Sequence, residues 1–241
     1  MSSRPPGPPL PDAFFDRPPV DLAMALVGKV LRRRLDGLWL AASIVEAEAY
    51  AIDEKGSHSS LGRTPSREPM FAPPGTLYLY HSQGGDSLNL SARGGGNAVL
   101  VKSGVPWVDA ASPEETLDRM HALSPRRSGE RRPAHRLCAG QALLCRALDL
   151  RVREWTGRRF DPASFFLEDV GRSPRLVQAR RLGIPAGRDE HLPWRFIDRD
   201  HVRSATKNPL TRRGAREGAD YRVLESGAPP VLGSLPPSGG A

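Results

Sequence analysis

Residues 44–50 read Ile-Val-Glu-Ala-Glu-Ala-Tyr, and their order matters more than their composition. In an extended chain successive side chains alternate sides, so Glu46, Glu48 and Tyr50 share one face and Val45, Ala47 and Ala49 the other. A carboxylate beside an aromatic ring can act as a general base. The same face on a solvent-exposed edge strand would serve only solubility. The segment alone leaves both readings open.

Residues downstream narrow the choice. His58 stands eight residues after Tyr50, followed by Gly62-Arg63-Thr64-Pro65, Met70-Phe71 and Pro74-Gly75-Thr76-Leu77-Tyr78-Leu79-Tyr80. Further along come Asn89, the run Ala98 to Lys102, Leu137-Cys138-Ala139-Gly140-Gln141 with Leu144-Cys145, Arg181-Leu182-Gly183-Ile184, and Trp194-Arg195-Phe196. This ordered series, over roughly residues 14 to 198, resembles the alkyladenine (3-methyladenine or methylpurine) DNA glycosylase family. That family carries approximately V-E-T-E-A-Y, a His eight residues after the Tyr, an R-T-P segment and then M-F-x-x-P-G-x-L-Y-V-Y. One such motif is weak; the ordered set is specific.

The resemblance implies roles position by position. Glu48 matches the general base that activates water, Lys102 stands where the family has an Arg supporting that water, and Leu182 matches a residue whose main-chain carbonyl helps hold it. Tyr50, His58 and Tyr80 match the walls between which a flipped base stacks. Asn89 matches a polar residue that helps reject guanine through its exocyclic amine. Gln83 occupies the position of the wedge that fills the gap left by the flipped nucleotide, usually an apolar or aromatic residue. Gln83 can fill space and hydrogen-bond but stacks poorly. Gly85 and Asp86 also replace bulkier residues, and Asp86 has the wrong sign for a phosphate neighbour. Lys102 keeps the charge of Arg but not its planar fork. A Schiff-base lyase route through this amine is conceivable, but the resemblance implies a monofunctional enzyme.

The chemistry suits these residue types. Cleaving a nucleoside bond passes through an oxocarbenium-like state, so a carboxylate beside the sugar both orients water and stabilises positive charge. Extruding a base costs a few kcal/mol, and stacking on aromatic rings returns about 1–3 kcal/mol per base. Among other classes, a non-catalytic DNA-binding protein of the same fold and a hydrolase of free nucleosides stay open. A helix-hairpin-helix glycosylase lacks its hairpin and following Asp here, and a zinc deaminase would need H-x-E and P-C-x-x-C.

Composition agrees with a nucleic-acid partner without demanding one. The 241 residues carry a formal charge of +8, and only Lys29, Lys55, Lys102 and Lys207 are lysines, so 31 of the 35 basic residues are Arg. Such a balance favours a polyanion or an anionic membrane surface; a bias toward Arg in the coding sequence accounts for the skew equally well. No run of 18 apolar residues exists, so no membrane span is expected. The Pro-rich stretch Ser2 to Pro11 lacks an apolar signal core, which points to the cytoplasm. No C-x-x-C, H-E-x-x-H or paired-carboxylate metal spacing is present, so neither metal nor cofactor is expected. The resemblance implies a monomer acting on double-stranded DNA with a damaged purine.

The elements that must position these residues can be read in outline. Asp21 is read as the cap of a short helix, Leu22 to Val27, stopped by Gly28. Val30 to Arg34 and Leu38 to Tyr50 flank Asp36-Gly37, a type I′ hairpin signal. Residues 51 to 75 form a long loop. Strands are expected at Thr76 to His81, Ser87 to Ala92 and Asn97 to Ser103, with Gly84-Gly85 and Gly94-Gly95-Gly96 as turns. Of Tyr78 and Tyr80, one is expected to pack in the core. Ser112, Pro113 and Glu115 suggest a capping box opening a helix to about Leu123. Pro125 to Arg136 is an exposed loop with five Arg, either a solvated charge run or a DNA contact. A helix over Leu137 to Leu148 would hold Cys138 and Cys145 two turns apart as unpaired buried thiols. Short strands come next, such as Phe165 to Glu168 and Trp194 to Asp198. The expected architecture is α+β: one domain over 13–226 with a curved, largely antiparallel β-sheet, a partly open barrel, flanked by helices. Residues 1–12 and 227–241 are expected to be disordered.

Overall fold

A computed structural model describes residues 5–82 and 84–235. Its strands are β1 (Val30–Leu35), β2 (Leu38–Tyr50), β3 (Leu77–Ser82), β4 (Gly85–Ser91), β5 (Ala98–Pro106), β6 (Phe165–Glu168), β7 (Leu176–Ala179), β8 (Arg195–Asp198) and β9 (Tyr221–Leu224). The helices are α1 (Pro19–Leu26), α2 (Glu115–Leu123), α3 (Gln141–Ala147) and the single turn α4 (Val152–Trp155). The strands form one antiparallel sheet in the order β3-β4-β5-β2-β8-β7-β9, with β1 bridging β2 and β6. The fold is α+β, as expected, and the sheet does not close into a barrel.

The β1–β2 hairpin turns at Asp36 (φ 50°) and Gly37 (φ 83°). Two successive positive φ angles are what a type I′ turn requires, and Asp-Gly tolerates them. From this turn β2 runs for 13 residues as the spine of the sheet, pairing with β1 and β5 and, through Glu46, Ala47 and Glu48, with β8.

A bulge interrupts β2. Its pairing with β5 shifts register between Ile44 and Ala47. Before the shift Leu40, Ala42 and Ile44 enter the core; after it Ala47 and Ala49 do. The parity change turns Glu46, Glu48 and Tyr50 away from the apolar side, where an unbroken period of two from Ile44 would have placed them.

The other strands keep simple alternation. Leu77 and Leu79 of β3, Leu88 and Leu90 of β4, and Val99 and Val101 of β5 all join the main core, under α1, α2 and α3. Burying that surface is the dominant stabilisation of the fold. Tyr78 and Tyr80 therefore point together to the opposite side, where Tyr78 is buried in a second, smaller apolar cluster with Met70 and Ala98 and Tyr80 packs against it, so one of the pair enters a core as expected.

Several boundaries also change. Helix α1 starts at Pro19, with Pro18 rather than Asp21 at the cap; Pro is well suited to the first helical position. No side-chain cap opens α2: the helix begins at Glu115 with Glu114 at the cap, two residues beyond Ser112, whose Oγ accepts from Arg32 Nη1 at 2.7 Å. Gly140, at φ 104°, breaks the expected Leu137–Leu148 helix, so α3 begins only at Gln141. Cys138 lies ahead of it, its carbonyl accepting from Gly104 N–H at 2.9 Å, and both cysteines are buried free thiols.

The disorder expected at the two ends does not extend to all the described residues. Gly7 N–H donates to Glu168 Oε1 at 2.8 Å and Leu10 N–H to Leu167 O at 2.8 Å, laying this segment along β6. Near the other end Gln178 exchanges two hydrogen bonds with the backbone of Val231 (3.0 and 2.7 Å), and Leu235 is fully buried. Composition gives no sign of these bonds because the partners are remote groups in β6 and β7. No helix among the described residues is long and apolar enough to cross a membrane.

Candidate active site

The strand faces opposite the main core converge on a cavity of about 470 Å³. Alternation delivers Tyr50 from β2, Tyr78 and Tyr80 from β3, Asn89 from β4, and Ala98, Leu100 and Lys102 from β5. Two loops close it: the stretch after β2, with His58 on a 3-10 turn (His58–Leu61), and the segment after β7, with Leu182. The expected long loop at 51 to 75 thus contains this turn and a second one, Pro65–Phe71.

Glu48 lies behind that wall, fully buried. Its Oε2 accepts from Tyr50 OH at 2.8 Å and from Lys102 Nζ at 3.3 Å; its Oε1 accepts from Leu182 N–H at 3.2 Å. Arg195 Nε stands 3.9 Å from Oε1. Burial pushes the carboxyl pKa up, but the charges of Lys102 and Arg195 and the bonds from Tyr50 and Leu182 outweigh it, leaving a pKa below the ordinary range. A buried carboxylate is thereby kept ionised. Burial and the adjacent Glu48 raise the Tyr50 pKa well above its usual value, so the phenol keeps the proton it donates. Leu182 meets Glu48 through its N–H, a bond additional to the carbonyl role the resemblance implies.

The aromatic groups form one cluster. Tyr78 and Tyr80 stack at 5.5 Å between ring centroids, and His58 packs against Tyr80 at 4.5 Å, tilted by 61°. His58 Nδ1 is 3.3 Å from Tyr78 OH. Burial, then the charges of Arg67 and Arg188, lowers the His58 pKa, so the ring is neutral near pH 7. Asn89, also buried, donates through Nδ2 to Tyr78 O at 3.1 Å. Such a cavity, with neutral rings and a few fixed polar groups, suits a flat heteroaromatic ligand.

A family model described as methylpurine-DNA glycosylase (MPG) matches residues 13–202. The chain belongs to this family. It is accordingly a DNA glycosylase, a hydrolase acting on N-glycosyl bonds. Relatives named "Putative 3-methyladenine DNA glycosylase" include one from Pseudomonas savastanoi pv. phaseolicola, 55% identical over 219 residues (90% of this chain, 98% of that protein). A Pseudomonas aeruginosa protein is 54% identical over 217 residues, 90% of either chain. One from Methanocella arvoryzae is 34% identical over 199 residues, 80% of this chain and 94% of its own.

The glycosylase uses buried residues to which the motifs alone assign no role. Glu46 accepts from Arg195 Nε (2.7 Å), Ser103 Oγ (2.5 Å), Thr206 N–H (2.8 Å) and Thr206 Oγ1 (2.7 Å). Arg181 donates to both oxygens of Glu54 (2.6 and 2.9 Å) and to Ala49 O (3.0 Å), and its guanidinium lies 4.7 Å from the centre of the Tyr50 ring. Both arginines stand inside the motifs Arg181-Leu182-Gly183-Ile184 and Trp194-Arg195-Phe196. Only the long-range pairing reveals what they hold.

The Arg-rich loop contributes no residue to the lining of the aromatic cavity. Gln83, the residue at the wedge position, lies outside the described residues. In the Arg-rich loop Arg126 pairs with Glu130 and Arg131 with Asp118, while Arg136 donates to the carbonyls of Arg203 and Ala205. Among the described residues no group of three or more His, Cys, Asp or Glu is placed to hold a metal ion.

Proposed function

We propose that this glycosylase removes methylated purines, 3-methyladenine among them, from duplex DNA as a monomer, by flipping the nucleotide into the cavity and hydrolysing its bond with Glu48 as general base. One observation carries the reading: a fully buried carboxylate, held ionised, stands directly behind the wall of an aromatic cavity. Tyr50, His58 and Tyr80 supply stacking surface for the extruded base, which offsets the cost of unpairing it. Asn89 presents its amide at the cavity wall, where it can discriminate among base edges.

In the reaction a water oxygen forms a bond to the sugar C1′ while the C1′–N bond breaks. Glu48 takes the water's proton, and the electron pair of the broken bond leaves with the purine. A methylated, cationic purine departs neutral without further help; a neutral lesion such as hypoxanthine must also gain a proton. Lys102 and the Leu182 backbone hold Glu48 in place, and the ionised carboxylate favours the developing oxocarbenium charge. General-base action is worth roughly a hundredfold to ten-thousandfold in rate.

Incubation with duplexes bearing 3-methyladenine or hypoxanthine, scored for abasic sites, tests the activity. Glu48→Gln should bind the lesion duplex and release no base. Full turnover by that variant would remove Glu48 from the mechanism, and binding without excision by the unaltered protein would favour a non-catalytic DNA-binding role.

A further inference from the structure

Behind Leu182 lies a second cavity of about 300 Å³, and Leu182 lines both it and the first. Its wall is strongly basic, with Arg180, Arg181, Arg195, Lys207 and Arg212 against the single carboxylate Asp220. The charges can be accounted for one by one. Arg181 is committed to Glu54 and Arg195 to Glu46, both at 2.6–2.7 Å. Asp220 is taken by Arg212 at 2.7 Å and by the Arg216 N–H at 2.9 Å.

Two cations remain. Arg180 follows β7 directly, is partly buried, and has no carboxylate partner among the described residues; its Nε is buried with no acceptor. Lys207 is exposed, and its ammonium likewise has no carboxylate partner among the described residues. A buried N–H without an acceptor is costly, and a guanidinium fork and an ammonium lining one cavity can both donate to the oxygens of a phosphate.

We infer that this second cavity binds a phosphodiester of the lesion-bearing strand, next to the flipped nucleotide, through Arg180 and Lys207. The inference rests on the reading of the first cavity as the pocket for the flipped base. A nucleotide seated there has its sugar near Glu48 and Leu182, and its flanking phosphates must leave past that wall. Arg180 and Lys207 stand on the far side of it, with positive charge that no carboxylate among the described residues neutralises. Arg126 and Arg131 of the Arg-rich loop, by contrast, already have carboxylate partners.

The test reads binding, so it stands whether or not excision succeeds. Affinity for a duplex with one hypoxanthine is measured against salt in the Glu48→Gln background, with and without Arg180→Met and Lys207→Met. The expected result is a slope of log K on log salt that is smaller by about 0.9 for each phosphate no longer neutralised. Arg126→Met with Arg131→Met should leave the slope unaltered. A neutral methylphosphonate at one phosphate flanking the lesion should weaken the protein with Arg180 and Lys207 intact about tenfold and the double variant hardly at all.

An unchanged salt slope, or equal methylphosphonate sensitivity with and without the two cations, overturns the inference. Loss of abasic-site formation by the unaltered protein would instead count against the glycosylase reading of the first cavity.

Discussion

Arg195 stands between two carboxylates of one strand, with Nε 2.7 Å from Glu46 Oε1 and 3.9 Å from Glu48 Oε1. The two glutamates are equally buried but differently engaged. Glu46 is saturated by donors from Arg195, Ser103 and Thr206, whereas Glu48 takes its bonds from groups that also line the cavity. Glu46 is engaged wholly by structural partners; in the proposed mechanism Glu48 is the one that meets the attacking water.

Substitution should therefore separate them. Glu46→Ala leaves the buried Arg195 guanidinium with only the more distant Glu48 as a carboxylate neighbour, a loss of about 3–5 kcal/mol. Glu48→Gln preserves shape and most hydrogen bonds and should cost less than about 2 kcal/mol while abolishing base release. Urea denaturation and an abasic-site assay on both variants check this; comparable stability losses would show that the two carboxylates are not specialised.

The pH profile should report the Glu48 environment. General-base action needs the ionised form, so kcat/KM falls as pH drops through a pKa that lies below the ordinary glutamate range. Lys102 is the largest influence lowering it. Lys102→Met should raise that pKa and move the acid limb to higher pH, while activity well above the limb is retained in larger part. An acid limb that stays in place in Lys102→Met would mean that the amine does not tune the base. Borohydride should trap no adduct on the unaltered protein, since Lys102 Nζ, though at the cavity, is engaged by Glu48 Oε2 at 3.3 Å.

Arg181 is a positioning residue. It ties Glu54, the end of β2 through Ala49 O, and the loop after β7 through Asp189 O (3.3 Å), with the Tyr50 ring against its guanidinium. Arg181→Lys keeps the charge but cannot make the fork. We expect kcat/KM to fall roughly tenfold or more, because small displacements of positioned groups are expensive, with KM rising as the Tyr50 wall loosens. A stability loss with unaltered KM and kcat would reduce Arg181 to a structural strut.

Acid stability should depend on Asp109. Burial would raise its carboxyl pKa, but bonds from Arg32, the Ser112 N–H and Trp107 hold it at about 2. The depressed pKa stabilises the fold above the usual value of 3.8 and is lost as pH falls toward 2. Asp109 is partly exposed, so screening reduces the contribution to about 1–2 kcal/mol. Asp109→Asn should lower the melting temperature at pH 7 and flatten its decline between pH 4 and 2. An unchanged decline would show that other carboxylates govern acid unfolding.

Much of the site is legible in the sequence because its signals are local. Asp36-Gly37 announces its own turn through backbone preference, and the alternation in Leu77-Tyr78-Leu79-Tyr80 separates a core face from a cavity face by period alone. The helix expected over Leu137–Leu148 is too long because apolar spacing says nothing of Gly140 adopting φ 104°. Strands β7 and β9 have no comparable local signal: they are four residues each and are held by pairing with remote partners.

By itself the sequence determined which side chains are available and in what order: Glu48, Tyr50, His58, Tyr80, Asn89, Lys102 and Leu182, and with them the family. Tertiary structure alone decided that the bulge in β2 turns the glutamates away from the main core, that Arg195 pairs with Glu46 beside Glu48 while Arg181 packs on Tyr50, and that Leu182 reaches Glu48 across 134 positions of sequence. The reason is physical. Alternation and turn preference act over a few residues, whereas register and the pairing of buried charge exist only once distant strands lie side by side.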